Sequence, residues 1–294
     1  MNLSGSSDKG RPNFPHVVPS RVRRMIAFVL LAGLGIGLTV ALGQTDEETG
    51  KKSVLDLSAY TLTFNEEFDR LDVSAWGPGT RWIAHTPWNG DFGDAQFADP
   101  VPGFPFTVEN GVLRIEARRG EDGRWRSGLL ASTDHYGNGF SQKFGYFEMR
   151  AKLPKGPGLW PAFWLVANKQ EDTSAEIDVI EHYGKFPDMY ESVIHVWKKS
   201  ERGRAYQALL RHKVPSGSLY EDFHTFGVSV EPELTIFYLD HVEIGRTQTP
   251  PEHQYPMFML VNLAMGAGWP INETPSPSFM YVDHIRAYQK EPGK

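Results

Sequence analysis

Residues 175–184 read AEIDVIEHYG and place Glu176, Asp178 and Glu181 inside a run whose other members mostly favour β-structure. Two long carboxylates held about 5 to 5.5 Å apart can open an acetal: one attacks the anomeric carbon, while the other protonates the leaving oxygen and later deprotonates water. A shorter carboxylate between them can hydrogen-bond the nucleophile and tune its charge. Three acids this close do not ionise independently. Their repulsion raises at least one pKa, which an acid catalyst working near neutral pH requires. The plainer reading is a solvated strand face or a set of oxygen ligands for a cation. Against it, Asp and Glu are depleted in strands and like charges repel, so a triple set flanked by WPAFW and HVW needs a compensating use.

Side chains alternate along a strand, so Glu176 and Asp178 share a face while Glu181, five positions beyond Glu176, belongs to the other. One extra residue near Val179 or Ile180, accommodated as a β-bulge, returns Glu181 to the face of the other two. Four effective strand steps then separate the glutamate backbones by roughly 13 Å. Two inward-reaching glutamates can close that gap, and aspartates at both ends would fall short.

Such a set needs a rigid sheet beneath it. Short apolar or alternating runs recur along the chain: YTLTFNEEF, FTVENGVLRIEARR, GYFEMRAKL, PAFWLVAN, AEIDVIEHYG, ESVIHVW, FHTFGVSVE, ELTIFYLDHVEIGRT, MFMLVNLAMG and MYVDHIRAYQ. Each is bounded by Gly, Pro, Asn or Asp, and the period of two in GVLRIEA and ELTIFYL predicts antiparallel strands packed as a sandwich. YEDFHTF can form a short helical turn, but no segment offers an amphipathic helix of three turns. With 294 residues, 40% of them hydrophobic, the chain can bury one substantial core, and one large all-β domain is the reading preferred. The absence of cysteine excludes disulfides and thiolate chemistry.

The amino terminus differs in kind. Arg21, Arg23 and Arg24 precede an uncharged apolar stretch over 25–42, with Ala41 and Gly43 in a cleavage-like pattern, so residues 1–43 read as an export signal. The stretch is also long enough to span a bilayer, which keeps an uncleaved inner-membrane anchor open as the alternative. The expected location is secreted or periplasmic, or tethered to that membrane. Residues 44–59 are expected to be a linker and 60–290 the working domain. Removing 1–43, with its five basic residues and one acid, takes the formal net charge from −6 to −10. Such a module suits neither nucleic acid nor anionic lipid, and a neutral substrate fits better. A monomer is expected.

EIDVIE resembles the E-x-D-x-x-E signature of glycoside hydrolase family 16, and FGYFEMRAKLPKGPGLWPAFWLV is similar to that family's approach to its catalytic strand. FHTFGVSVEPELTIFYLDHVEIGR and the segments MLVNLAMGAGWP and FMYVDHIRAYQ resemble later strands, so the likeness runs from about Tyr60 to Gln289. It implies a β-jelly-roll sandwich of two antiparallel sheets, concanavalin A-like, whose concave face forms a polysaccharide cleft, and a retaining endo-hydrolase mechanism. Glu176 would be the nucleophile, Asp178 its helper and Glu181 the general acid/base. The form with the extra residue resembles β-1,3-glucanases, agarases and carrageenases, whereas lichenases and xyloglucan-active members have the shorter E-x-D-x-E. A β-1,3- or mixed β-1,3/1,4-glucan is the first substrate expectation, with a bacterial exopolysaccharide or galactan, transglycosylation, or lectin-like binding without chemistry as alternatives.

A glycan cleft needs flat side chains against apolar sugar faces, and Trp82, Trp88, Trp160, Trp164, Trp197 and Trp269 lie in or near candidate cleft segments. Two to four of them are expected to touch substrate, above all Trp160, Trp164 and Trp269; Trp76 and Trp125 read as structural. The loop RWIAHTPWNGDFGDAQF departs from the asparagine-glutamate pattern of many laminarinases, which bears on substrate more than on chemistry. His195, in SVIHVW, matches a family histidine near the cleavage point, though a lone strand histidine also serves as a structural residue. No paired metal-ligand spacing appears, so no catalytic cofactor is expected. The resemblance implies a structural Ca²⁺ held through Glu67, Gly111 and Asp283, against which stands the reading of a solvated Glu and an Asp at a strand end.

Overall fold

The computed structural model describes residues 53–168, 172–198, 200 and 203–290, and the expected signal or anchor over 1–43 lies outside them. In chain order the strands are β1 (Tyr60–Glu66), β2 (Val73–Ser74), β3 (Trp82–Ile83), β4 (Ala95–Phe97), β5 (Phe106–Glu109), β6 (Val112–Arg119), β7 (Trp125–Ser127), β8 (Leu129–Ala131) and β9 (Gly145–Lys152). They continue as β10 (Leu159–Ala167), β11 (Thr173–Glu181), β12 (Met189–Lys198), β13 (Gly203–Lys213), β14 (His224–Val230), β15 (Leu234–Leu239), β16 (Val242–Gln248), β17 (Met257–Met265) and β18 (Ser278–Lys290). One sheet runs β16-β15-β14-β9-β18-β6-β7-β4, with β1 also on β18 and β5 on β6; the other runs β13-β12-β11-β10-β17-β8-β3-β2.

The two sheets form the expected jelly-roll sandwich. Pairing is antiparallel except at two edges, where β2 lies parallel to β3 and β4 to β7. Those pieces are two or three residues long, too short for a period of two to show. The main core fills the space between the sheets, with Phe147, Met149 and Ile285 from one joining Phe163, Ile177 and Val261 from the other. All nine residues of β17 are buried, which explains its unbroken apolar run. One face of β17 enters that core. The other, through Phe258, Leu260 and Ala264, joins a second cluster with Ile83, Phe97 and Trp164, against which Phe92 and Trp160 pack. The sheet that carries the acids is thus roofed along part of its outer face by the segment around Phe92 and Phe97.

The described part of the 44–59 segment carries some structure: Val54 bridges to Val242, Glu243 N–H donates to the Ser53 carbonyl at 2.9 Å, and Leu57–Ala59 forms a 3₁₀ turn. β13, eleven residues long, escaped the pattern reading because it is an outer strand whose exposed positions alternate only loosely with buried ones. The single α-helical turn among the described residues, Ser218–Glu221, overlaps the YEDFHTF region. Among the described residues no helix is long and apolar enough to cross a membrane, and the 25–42 stretch is not among them.

Glu148, on the outward side of β9, is 1% exposed yet sits among donors: His241 Nε2 at 2.8 Å, Tyr288 Oη at 3.1 Å and His284 Nε2 at 3.6 Å. His241 reaches it from the two-residue β15–β16 turn, where Asp240 and His241 both take positive φ, 50° and 63°. Burial alone would raise the Glu148 pKa, but hydrogen bonds from His241 and His284 outweigh it and bring the value down from 4.5 to about 2. A folded-state value below the unfolded one adds stability above pH 4.5 that is lost as pH falls toward about 2. Thermal unfolding at about pH 5 and about pH 3 should show part of it: Glu148→Gln should lack about 2 kcal/mol of the stability that the wild type loses between them.

Candidate active site

β11 lies between β10 and β12, and its register changes inside the acidic run. On the β10 side, Trp164 pairs with Asp178 and the next partner, Phe163, pairs with Ile180, which leaves Val179 as the extra residue. On the β12 side, Asp178 pairs with Val193 and Glu181 with Glu191, so Val179 and Ile180 together face Ser192. This is the bulge that the spacing of the acids demanded. Ile177, Val179 and Ile180 all enter the core, and the three carboxylates stay within electrostatic reach of one another on the other face.

Glu176 Oε2 accepts the Trp197 indole N–H at 3.1 Å, and its Oε1 lies 3.9 Å from His195 Nε2. Asp178 is 5% exposed, and its Oδ2 lies 3.3 Å from the same His195 nitrogen without hydrogen-bond geometry. Glu181 Oε1 accepts two donors, Trp160 Nε1–H at 3.0 Å and Tyr183 O–H at 3.3 Å. Its Oε2 has no protein donor among the described residues, so that oxygen is the one placed to carry and release a proton. The Glu176 backbone is held from behind, its carbonyl 3.1 Å from His253 Nε2.

Burial raises the pKa of all three acids. For Glu176 the Asp178 charge adds to it, and for Asp178 burial acts alone. Glu181 is pushed from 4.5 to about 8 by burial and then by Asp178. Burial lowers His195, which keeps its ring neutral near neutral pH. Burial and mutual repulsion thus favour one of the acids keeping its proton while another is ionised, the pairing that proton donation and attack require. Glu176, Asp178 and His195 also offer three ligand atoms within 4.8 Å of one another, a spacing compatible with a cation as well as with a shared proton.

The predicted aromatic residues divide. Trp160 and Trp164 lie on the catalytic sheet. Trp160 bonds Glu181, while Trp164 Nε1–H donates to Asn262 Oδ1 at 2.8 Å and meets the edges of Phe92 and Trp88 at 5.7 and 5.9 Å between ring centroids. Trp88 is 45% exposed. Trp269 stands on a different loop pair, against Phe186 and under Lys185 Nζ at 3.9 Å. Trp82 is core, its indole N–H bound to Glu66. Trp197, expected as one of the candidate cleft tryptophans, instead bonds Glu176, and Tyr183, which the sequence reading did not single out, bonds Glu181. Each lies two positions from a site residue, His195 and Glu181 respectively, so strand parity offered the signal for both.

The two carboxylates of the calcium set are engaged by other partners. Gly111, at φ 73°, does sit beside the Glu67 backbone. However, the Glu67 carboxylate takes Arg286 Nη2 at 2.6 Å and Nε at 3.0 Å, while Asp283 takes Arg150 Nη1 at 3.1 Å and His284 Nδ1 at 3.0 Å. Ca²⁺ takes carboxylate and backbone carbonyl oxygens aimed at one point, and here each of the two carboxylates is already matched by a guanidinium.

Comparison with known proteins agrees with this geometry. Two proteins of Rhizobium meliloti (strain 1021) are similar. Endo-1,3-1,4-beta-glycanase EglC is 30% identical over 305 aligned residues, covering 95% of this chain and 63% of its own length. Endo-1,3-1,4-beta-glycanase ExsH is 33% identical over 257, covering 80% and 53%. The chain thus spans between half and two thirds of these relatives. Among solved structures, the laminarinase catalytic domain of Thermotoga maritima superposes with a TM-score of 0.63 at 26% identity, covering 79% of this chain and 99% of that domain. The sequence pattern of the glycosyl hydrolases family 16 matches residues 104–285, which contain the bulged acidic strand and both of its neighbours, and the chain belongs to that family.

Proposed function

We propose that this protein is an exported, endo-acting β-glucanase that cleaves β-1,3 or mixed β-1,3/1,4 linkages with retention at the anomeric carbon. One observation carries the reading: the Val179–Ile180 bulge leaves Glu176 and Glu181 on the same face, each fixed by an indole donor. Glu176, ionised, attacks the anomeric carbon. Glu181 gives the proton on its free Oε2 to the leaving oxygen, then takes one from the water that releases the sugar. Trp197 holds the nucleophile, and Asp178 and the neutral His195 tune its charge. Trp88 and Trp160 supply surfaces for sugar rings, and Trp164, buried beneath Phe92 and Trp88, backs them. No step in this sequence requires a cofactor.

The glucan preference is supported by what the relatives are named for and by the extra residue in the acidic run. Reducing-end release from laminarin, lichenan, agarose, carrageenan and a bacterial exopolysaccharide tests it; laminarin or lichenan should give the highest rate. Activity confined to a galactan or the exopolysaccharide would overturn the preference while leaving the chemistry standing, and activity on none would remove the hydrolase reading. Export is supported by the apolar stretch behind Arg21, Arg23 and Arg24. N-terminal sequencing of protein recovered outside the cytoplasm should find a chain beginning near residue 44, and an intact amino terminus in the membrane fraction would favour the anchor.

Tyr183 gives a finer test. Its hydroxyl hydrogen-bonds Glu181 and stabilises the carboxylate over the acid. Tyr183→Phe should therefore move the alkaline limb of the pH–rate profile upward by some tenths of a unit to about one. A limb that stays in place would show that the bond does not reach Glu181 in the working enzyme.

A further inference from the structure

The bulge that aims Glu181 must itself be held, because the extra residue of a bulge is left outside regular ladder pairing and the disruption can slide along a strand. Ser192 of β12 is the one residue facing both Val179 and Ile180, and it is fully buried. Its Oγ lies 2.8 Å from the carbonyl oxygen of Val179, a contact in which only the hydroxyl can donate. The same Oγ lies 3.0 Å from Nε2 of His212 on β13. With the serine proton committed to Val179, Oγ must accept here, so the proton of the imidazole sits on Nε2. Burial lowers the His212 pKa to about 4, which keeps the ring neutral and in that tautomer. The ring packs against Tyr190, 4.9 Å between centroids, its register partner on β12.

Strand parity puts Ser192 and His212 on the core side of the sheet, opposite the face of Glu191, Val193 and His195. Neither side chain touches the cleft. A hydroxyl and an imidazole in that apolar setting are costly unless satisfied, and they satisfy each other and the one carbonyl that the bulge displaces. We infer that Ser192 and His212 are positioning residues for the general acid/base: a relay across three strands, from His212 to Ser192 to the Val179 carbonyl, that locks the extra residue at 179–180 and so aims Glu181. Without the relay the bulge is free to shift by one residue, and Glu181 turns away from the scissile oxygen while Glu176, upstream of the bulge, keeps its place. The inference rests on the proposed role of Glu181 as proton donor.

That asymmetry supplies a test which a general loss of packing would not pass. A glucan leaving group needs the proton from Glu181; an aryl β-glycoside of the same oligosaccharide with a strongly acidic phenol leaves without it. Ser192→Ala should lower kcat/KM on glucan at least about tenfold with KM within about twofold, yet lower kcat/KM on the aryl glycoside less than about threefold. Ser192→Thr, which keeps the hydroxyl, should restore most of the glucan rate. If Ser192→Ala does not fold, judged by circular dichroism and thermal unfolding, the pair His212→Leu and His212→Gln carries the same comparison, with the glutamine donor expected to do better. Equal losses on the two substrates, or an unchanged glucan rate, would overturn the relay. Full activity in Glu176→Gln, measured beside them, would instead overturn the catalytic reading on which it rests.

Discussion

Glu176→Gln is expected to lose at least about 10⁴ of glucan-hydrolysing activity and, at neutral pH, to melt at a higher temperature than the wild type. The loss follows from the chemistry, since an amide oxygen is too weak a nucleophile to form the glycosyl intermediate. The stabilisation follows from the electrostatics. Burial and the Asp178 charge raise the Glu176 pKa in the folded protein, so the folded state holds its proton more tightly than the unfolded chain does. Stability from such a group is present below the unfolded value of 4.5 and is lost as pH rises through the folded one. A neutral amide removes that loss, and each kcal/mol recovered raises the midpoint by about 2 to 4 °C in a domain of this size. The gain should disappear at about pH 4, where the wild-type carboxyl is protonated anyway. A variant that melts lower at neutral pH would show that Glu176 stabilises the fold through bonds such as the one from Trp197, and that the acids are not held under repulsion.

The second large effect comes from chain length inside β11. Deleting Val179 alone turns the run into E-x-D-x-E. A regular strand then pairs Ile180 with both Phe163 and Ser192, and Glu181 stays on the face of Glu176. Deleting Val179 and Ile180 together places Glu181 next to Asp178 and sends it into the core. The single deletion should retain measurable hydrolysis. The double deletion should lose the general acid and with it about 10² to 10⁴ of rate, besides burying an unpaired carboxylate at a cost of several kcal/mol. Circular dichroism, melting temperature and reducing-end assays on both variants distinguish the cases. A single deletion as inactive as the double one would mean that the bulge does more than restore parity.

Much of this site was legible because strand parity is strict. Three acids at 176, 178 and 181 conflict with a period of two, and only one added residue reconciles them, so the bulge could be located to within one position before any coordinates. The aromatic residues were legible as a class but not one by one. Trp82 and Trp164 look alike in sequence, yet one bonds Glu66 in the core and the other lines the catalytic sheet, a difference set by contacts between strands remote in the chain. The partners of Glu67 and Asp283 were hidden for a related reason: they meet Arg286 and Arg150 only through tertiary pairing. β13 carried too little alternation to be seen as a strand, and with it went His212, whose use depends on a neighbour's bulge. The parallel edges were invisible because pieces of two or three residues carry no period.

The most direct measurement is a crystal structure of the wild-type protein after reaction with a 2-deoxy-2-fluoro β-glucan oligosaccharide bearing a good leaving group, which forms the glycosyl intermediate faster than water can release it. The sugar should be bonded to Glu176 through its anomeric carbon, with the Glu181 carboxyl facing that carbon from the other side and Val179 and Ile180 both turned into the core. A sugar attached to any other residue, or Glu181 pointing away from the anomeric carbon while Glu176 carries the adduct, would contradict the pairing of these two acids across one glycosidic bond.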